Sequence, residues 1–247
     1  MRTLRNPYVQ VGIWTFGIGA VLTVIVLSVP WLPETASTAG KPIDTLYDVL
    51  AVISCFVFAL VVSILMVSVV HFRRRHNDLS DGEPIHGNTA LEAIWTAIPA
   101  VLMVGAAVYS GLVLADIEET KANTQEVQIT GQQFAWTFDY QGQHFRAGEL
   151  HMVKDTPYHF KLKALDVIHS FWVPEFRMKK DAVPGLTTDI RVTPTRYGRY
   201  TLACTELCGL GHSTMRAPVV VESQAAWNKW AAVAKKNQSQ VGGGITR

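Results

Sequence analysis

Cys204, Glu206, Cys208, His212 and Met215 fall within twelve residues, in the run Cys-Thr-Glu-Leu-Cys-Gly-Leu-Gly-His-Ser-Thr-Met. Two thiols, an imidazole, a thioether and a carboxylate at that density form a candidate metal-binding set, because a loop turning tightly at Gly209 and Gly211 can bring them to one point. Three chemistries compete. A disulfide between Cys204 and Cys208 suits an exported domain and leaves His212 and Met215 as ordinary loop residues. A tetrahedral zinc site could take two Cys and two His, but has no use for the thioether. Copper accepts thiolate, thioether and imidazole alike. A mononuclear blue-copper site takes one Cys, two His and a weak axial Met, so this run carries one thiol too many. Two thiolates can instead bridge two copper ions that share one electron, and such a pair needs a further imidazole. His169, in Asp-Val-Ile-His-Ser-Phe-Trp-Val-Pro from 166 to 174, is the best candidate. Taken alone, His169 reads as a packed strand histidine and Glu206 as a solvated loop carboxylate.

The elements that must position these residues change character near Asp116. Before it lie three long apolar runs: Val9 to Trp31, about Leu46 to Phe72, and about Ala90 to Leu114. Each has roughly the 20 or more residues needed to cross a hydrocarbon core about 30 Å thick. The second and third read as a transmembrane hairpin; the first reads as a retained span, with a cleaved signal peptide as the alternative. Arg73, Arg74 and Arg75 place the loop between spans two and three inside, Arg2 and Arg5 place the N-terminus inside, and the remainder lies outside. Pro99 predicts a kink in the third span or a packed neighbour that accommodates it. From Glu126 the period becomes two, at Val127 and Ile129, Gln132 to Phe138, Tyr158 to Leu162, Ile190 to Val192, Tyr200 to Cys204 and Pro218 to Val221. Short alternating segments between Gly, Pro and Asp turns predict an antiparallel β-sandwich or barrel. Ser223 can cap a short helix with Trp227, Trp230 and Ala231 on one face, and the Gly-rich stretch Val241 to Arg247 is expected to be disordered. The expected organisation is therefore an N-terminal hydrophobic segment (1–40), the transmembrane hairpin (41–116), a β domain (117–222), and a C-terminal helix and tail (223–247).

Composition agrees with this division. Hydrophobic residues make up 49% of the 247 and charged residues 17%, against about a quarter charged in soluble chains. A formal charge of +2 without a basic arm excludes a strongly basic nucleic-acid binder, and three cysteines are too few for a disulfide framework. Cys55 reads as a small apolar residue of the second span. His71, His76 and His86 flank the basic loop, and His144, His151 and His159 show no ligand spacing.

The chain from the second span to about Val221 resembles subunit II of the haem-copper cytochrome c oxidases. The match rests on Cys204, Glu206, Cys208, His212, Met215 and His169, with Gly209 and Asp-Ala-Val-Pro-Gly from 181 to 185. The resemblance implies a cupredoxin-like Greek-key β domain on the outer face of a bacterial plasma membrane, holding a dinuclear copper A centre. Cys204 and Cys208 would bridge both coppers, His169 and Met215 would complete one, and His212 with the Glu206 carbonyl the other. The Glu206 side chain would reach a magnesium ion shared with subunit I. Electrons would arrive from cytochrome c, or a tethered c-type cytochrome, and leave for haem in subunit I, where oxygen is reduced with proton translocation. The chain could not reduce oxygen alone: it shows neither a transmembrane bis-histidine pattern nor a Cys-x-x-Cys-His motif.

Two further segments resemble the family. Glu92, in Leu-Glu-Ala-Ile-Trp-Thr-Ala-Ile-Pro from 91 to 99, matches a glutamate at the mouth of a proton channel into subunit I. Thr89 and Glu92 also have capping-box spacing, which needs no proton role. Phe134 and Trp136, in Gly-Gln-Gln-Phe-Ala-Trp from 131 to 136, match the aromatic segment through which electrons reach the copper, although Phe134 stands where many members have tryptophan. Trp136 also reads as a buried sheet residue. From Ile117 onward there are 16 Lys and Arg against 12 Asp and Glu, which fits an acidic or tethered donor better than a basic one. Two other functions share parts of the pattern: the copper A subunit of a nitric oxide reductase, and a membrane-anchored protein that binds or delivers copper.

Overall fold

The computed structural model describes residues 6–242 except Arg75, Leu79 and Glu83. Arg2, Arg5, Arg75 and the end of the Gly-rich tail, residues 243–247, lie outside the described residues. The chain divides into two compact units, residues 1–31 with 45–112, and residues 32–44 with 113–247.

Among the described residues, the first unit is built from α1 (Pro7–Ser28), most of α2 (Gly40–Phe72) and most of α3 (Thr89–Ile117), three helices long and apolar enough to cross a membrane. Asn6 caps α1, accepting the Tyr8 N–H at 2.9 Å, with Pro7 opening the first turn. Gly19 lets α1 approach α2, since a Cβ there would stand 2.7 Å from the Phe56 ring. The cap of α3 is Asn88, not Thr89: Asn88 Oδ1 accepts the Leu91 N–H, and Glu92 Oε1 accepts the Asn88 N–H. Thr89 is already helical, because the residue before it supplies the better capping side chain. Pro99 stays within α3.

The second unit is a β-sandwich of ten strands: β1 (Gln125–Gln132), β2 (Ala135–Tyr140), β3 (Phe145–Ala147), β4 (Leu150–Val153), β5 (Tyr158–Ala164), β6 (His169–Val173), β7 (Met178–Ala182), β8 (Thr188–Val192), β9 (Gly198–Cys204) and β10 (Arg216–Glu222). They form two five-stranded sheets, ordered β3-β2-β1-β5-β8 and β4-β10-β9-β6-β7. The facing residues interdigitate as a core of Ile129, Phe138, Phe160, Leu162, Phe171, Leu202 and Val219, and β5 alternates buried and half-buried side chains throughout. Two pairings are parallel, β1 with β5 and β4 with β10, where a purely antiparallel sandwich is expected from the alternation. Alternation fixes which face a side chain occupies but carries no information on strand direction. The alternating run from Gln132 to Phe138 is broken by a two-residue turn at Gln133–Phe134, so β1 and β2 form a hairpin with neither Gly nor Pro in its loop.

Two segments outside the sheets complete this unit. Residues 32–44 strap onto it: the Ala36 N–H bonds the Glu175 carbonyl at 2.7 Å, Thr195 N–H bonds the Ala36 carbonyl at 2.8 Å, and Ser37 Oγ bonds the Phe176 carbonyl at 2.9 Å. Its anchor is Arg177, whose buried guanidinium holds Asp44 through Nε at 2.6 Å and Nη2 at 3.2 Å and also reaches the Pro33 and Pro174 carbonyls. On the other flank, α4 (Gln224–Gly242) begins at the Ser223 cap, whose Oγ accepts the Ala226 N–H. The Trp230 ring stacks on His151 at 3.8 Å, and Trp227 Nε1 donates to the His151 carbonyl at 3.2 Å.

Truncating the guanidinium strands one carboxylate and two carbonyls. Arg177→Ala is therefore expected to cost about 3 kcal/mol, the low end for breaking a buried ion pair because Asp44 is partly solvated. Arg177→Lys restores the charge but not the fork, and should recover less than half. Limited proteolysis of the full chain in detergent provides the check: cleavage within 32–44 should accelerate in the Ala variant, and an unchanged pattern would show that the strap does not depend on Arg177.

Candidate metal centre

β9 ends at Cys204, and the Cys204 N–H bonds the Met215 carbonyl at 3.1 Å, so the loop to β10 is closed at its mouth. Within it, successive tight turns follow from the bonds of His212 N–H to Gly209 O and of Met215 N–H to His212 O. Gly209 has φ +132°, a conformation L side chains rarely adopt. Gly211 serves a different purpose: a Cβ there would lie 2.5 Å from the Phe134 ring, which rests on the loop. The neighbouring strand β6 begins at His169 and pairs with β9 through Phe171 opposite Cys204.

These elements bring together all six residues singled out from the sequence. Cys204 Sγ and Cys208 Sγ stand 3.9 Å apart, both as free thiols, which removes the disulfide alternative in this structure. Cys204 Sγ lies 3.9 Å from His169 Nδ1 and 3.3 Å from the Glu206 carbonyl oxygen. Cys208 Sγ lies 3.7 Å from His212 Nδ1 and 3.8 Å from Met215 Sδ. The ligand atoms of His169, Cys204 and Cys208 all fall within 4.8 Å of one another. His169 and Met215 are fully buried, Cys204 and Cys208 nearly so, His212 is half-buried, and Glu206 is exposed. A thiol pair at 3.9 Å is closer than twice the roughly 2.3 Å of a metal–thiolate bond, so one ion can touch both sulfurs. Buried sulfur and imidazole donors, with only a backbone carbonyl for oxygen, fit a soft metal.

Phe134 is partly exposed above the loop, at 38%. Trp136 is buried, edge-on to His169 at 5.9 Å between ring centres and to Phe171 at 6.4 Å. Glu92 lies in the helical unit, bonded to its own helix start. His151 is held between Glu222 and Glu149, His159 against Asp189, and Cys55 is buried in α2.

Two residues that sequence reasoning did not single out for a role touch the cluster. Asp166 accepts the His169 Nε2 proton at 2.8 Å, and Gln133 donates its side-chain amide to the Cys208 carbonyl. Spacing gave one signal for Asp166, three residues before His169; nothing in the sequence marks Gln133. Desolvation works to raise the Asp166 pKa, but bonds from the Gln133 N–H, His169 and the Val167 N–H outweigh it and hold the carboxyl at about 2. Burial, with Cys204 alongside, pushes the Cys208 thiol up to about 11.

A thiol held protonated to that degree must lose its proton to bind a metal ion. Apparent metal affinity is thus expected to rise with pH throughout the range below about 11, by up to roughly tenfold per unit for each proton displaced. Chelator competition at several pH values, with proton release recorded in weakly buffered solution, tests this; a flat profile would mean that the thiols are not ligands.

Residues 27–113 match the family described as cytochrome C oxidase subunit II, transmembrane domain, and residues 150–224 match cytochrome C oxidase subunit II, periplasmic domain. Cytochrome c oxidase subunit 2 of Thermostichus vulcanus is 31% identical, over 90% of this chain and 85% of its own. The protein of that name from Synechocystis sp. is 30% identical, over 88% and 81%. Among solved structures, the periplasmic domain of subunit II of cytochrome oxidase from Bradyrhizobium japonicum aligns with a TM-score of 0.46 at 24% identity, covering 48% of this chain and 99% of that one.

Proposed function

Because the chain belongs to the cytochrome c oxidase subunit II family, we propose that it takes electrons from a c-type cytochrome at a dinuclear copper A centre and passes them to haem in subunit I, where oxygen reduction is coupled to proton translocation. The observation that carries this reading is the convergence of two unbonded thiols, two imidazole nitrogens, a thioether and a carbonyl oxygen from one closed loop and the start of β6. When bound, a copper pair would supply a one-electron carrier whose charge is spread over both ions.

The residues divide the work. Cys204, Cys208, His169, His212, Met215 and the Glu206 carbonyl would together hold the copper pair, with the two thiols as thiolates. Burial of Met215 and both cysteines excludes water, and the closed loop keeps the ligand set from rearranging between redox states. Phe134, packed on Gly209 and Gly211 and partly exposed, is the point of electron access nearest the loop; Trp136 backs His169 from the core. The exposed Glu206 carboxylate is free to reach a magnesium ion shared with subunit I. Glu92, at the start of α3, is assigned to proton uptake from the inner side, compatible with its bond to the Asn88 N–H. The three spans anchor the chain in a bacterial plasma membrane with the sandwich outside. Oxygen chemistry belongs to the partner subunit.

Low-temperature electron paramagnetic resonance of the copper-loaded full chain, with a copper count, tests the proposal. Two coppers per chain and a seven-line hyperfine pattern are expected of one electron shared by two equivalent nuclei. A four-line pattern, or preferential zinc retention, would move the assignment to copper delivery or structural metal binding. Met215→Leu should keep both coppers and the fold while shifting the reduction potential and the visible spectrum; if neither shifts, Met215 is not a ligand.

A further inference from the structure

Three loops at one end of the sandwich are joined by groups that are not themselves ligands. Asp166, in the turn from β5 to β6, accepts three bonds: Oδ2 takes the Gln133 N–H at 2.7 Å, and Oδ1 takes the Val167 N–H at 2.7 Å and His169 Nε2 at 2.8 Å. Gln133, in the turn from β1 to β2, donates its side-chain amide to the Cys208 carbonyl in the loop from β9 to β10. The adjacent Phe134 lies across Gly209 and Gly211 of that same loop.

We propose that Asp166 and Gln133 form a positioning bracket that orients His169 and the Cys208 loop before metal arrives and ties both to the Phe134 turn. This rests on the copper reading for its consequences but not for its geometry. A carboxylate at Nε2 fixes the imidazole proton there and leaves the Nδ1 lone pair facing Cys204 Sγ, the tautomer a metal requires. A hydrogen-bonded carboxylate also makes the imidazole more electron-rich, which stabilises the oxidised metal and lowers the potential. Gln133 acts on the other half of the site, by restraining the peptide that carries the second thiol. Because one residue bonds Asp166 through its backbone and Cys208 through its side chain, the aromatic turn and the ligands move as one body. No step of electron transfer passes through the bracket; it sets where the ligands stand.

Asp166→Ala and Gln133→Leu in the full chain separate these roles, with Asp166→Asn as the conservative variant. In the metal-free protein, nitrogen chemical shifts of labelled histidine should place the His169 proton on Nε2 in the parent and give a tautomer mixture in Asp166→Ala. In the copper-loaded protein, Asp166→Ala should weaken copper affinity about 10- to 100-fold and raise the reduction potential. Asp166→Asn, which keeps one acceptor oxygen, should recover part of both. Gln133→Leu should alter the hyperfine pattern and weaken affinity about tenfold while leaving the His169 tautomer and the thermal midpoint of the metal-free chain unchanged. Unchanged tautomer, affinity and spectra in these variants would overturn the bracket. If Asp166→Ala fails to fold, Gln133→Leu decides, since it removes a single side-chain contact: an altered hyperfine pattern upholds the bracket and an unaltered one overturns it. Should the parent bind no copper, the copper reading fails by itself, and the tautomer measurement in the metal-free chain still decides for or against Asp166.

Discussion

The bond from the Cys204 N–H to the Met215 carbonyl closes the loop between β9 and β10, and the candidate site depends on that closure. It sets the backbones of Cys204 and Met215 against each other at the ends of two paired strands, with the Met215 thioether beside the Cys208 thiol. The residues between them must then fold back within a short span, which is why the loop runs through consecutive tight turns and a glycine at φ +132°. Once the loop is closed, Cys208 and His212 have little freedom except to face the strand ends. His169 arrives from outside the loop, but its position is inherited from the same ladder, because β6 pairs with β9 at Phe171 and Cys204. The core beneath, from Phe171 to Phe160 and Leu202, fixes that ladder. The site is thus a consequence of sheet register at one end of the sandwich, and substitutions that disturb the register act on all its members together.

The sheets alone do not make the supporting unit. The strap of residues 32–44 closes one flank through Arg177, and α4 closes another by laying Trp227 and Trp230 against His151. The strap supplies the carboxylate that a buried guanidinium of the sandwich lacks, whereas α4 stacks on an imidazole that the sandwich already holds through its own carboxylates. Arg177 is held by Asp44 and two carbonyls, and His151 by Glu222 at 2.7 Å and Glu149 at 3.3 Å. A fragment that begins at Ile117 would omit Asp44 and leave that guanidinium buried without its carboxylate, at the cost that attends an unpaired buried charge. The strap belongs physically to the sandwich although in sequence it runs from the link after α1 into the first turn of α2.

How much of this could be read from the sequence depended on whether the information was local. Cys204 to Met215 was legible because its ligands share one loop, and spacing alone brings them within reach. The three membrane spans and the alternating core positions were legible for the same reason, as were the Ser223 cap and the paired tryptophans of α4. Strand direction was not, since alternation is the same in parallel and antiparallel pairs. The Gln133–Phe134 turn is not legible because it contains neither Gly nor Pro, Asn nor Asp, and the segment from Gln132 to Phe138 reads as one strand. Asn88 displaced Thr89 as the cap of α3 because both residue types cap well, and the choice rests on backbone geometry. Gln133 and Asp44 were invisible for a plainer reason: each acts on a residue far along the chain, and nothing in its own neighbourhood marks it.

Charge and apolar surface are distributed differently over the second unit. On the sheet faces Lys161 pairs with Glu126, Arg146 with Asp139 and Arg191 with Asp189, so these three cations add nothing to the excess of Lys and Arg after Ile117. The loops around the site, residues 132–134, 165–168, 183–187 and 205–214, contain no Lys or Arg, and their only carboxylates are Asp166 and Glu206. Asp166 is occupied by His169 and two backbone amides. Beside the exposed Gln132, Asp166 and Glu206, these loops present a set of apolar side chains outward: Phe134, Leu165, Val167, Ile168, Leu186, Leu207 and Leu210. Apolar side chains act only at contact and are weakly screened by salt, whereas the formal charge of the second unit acts over about a Debye length, so the two properties are carried by different residues of the same surface.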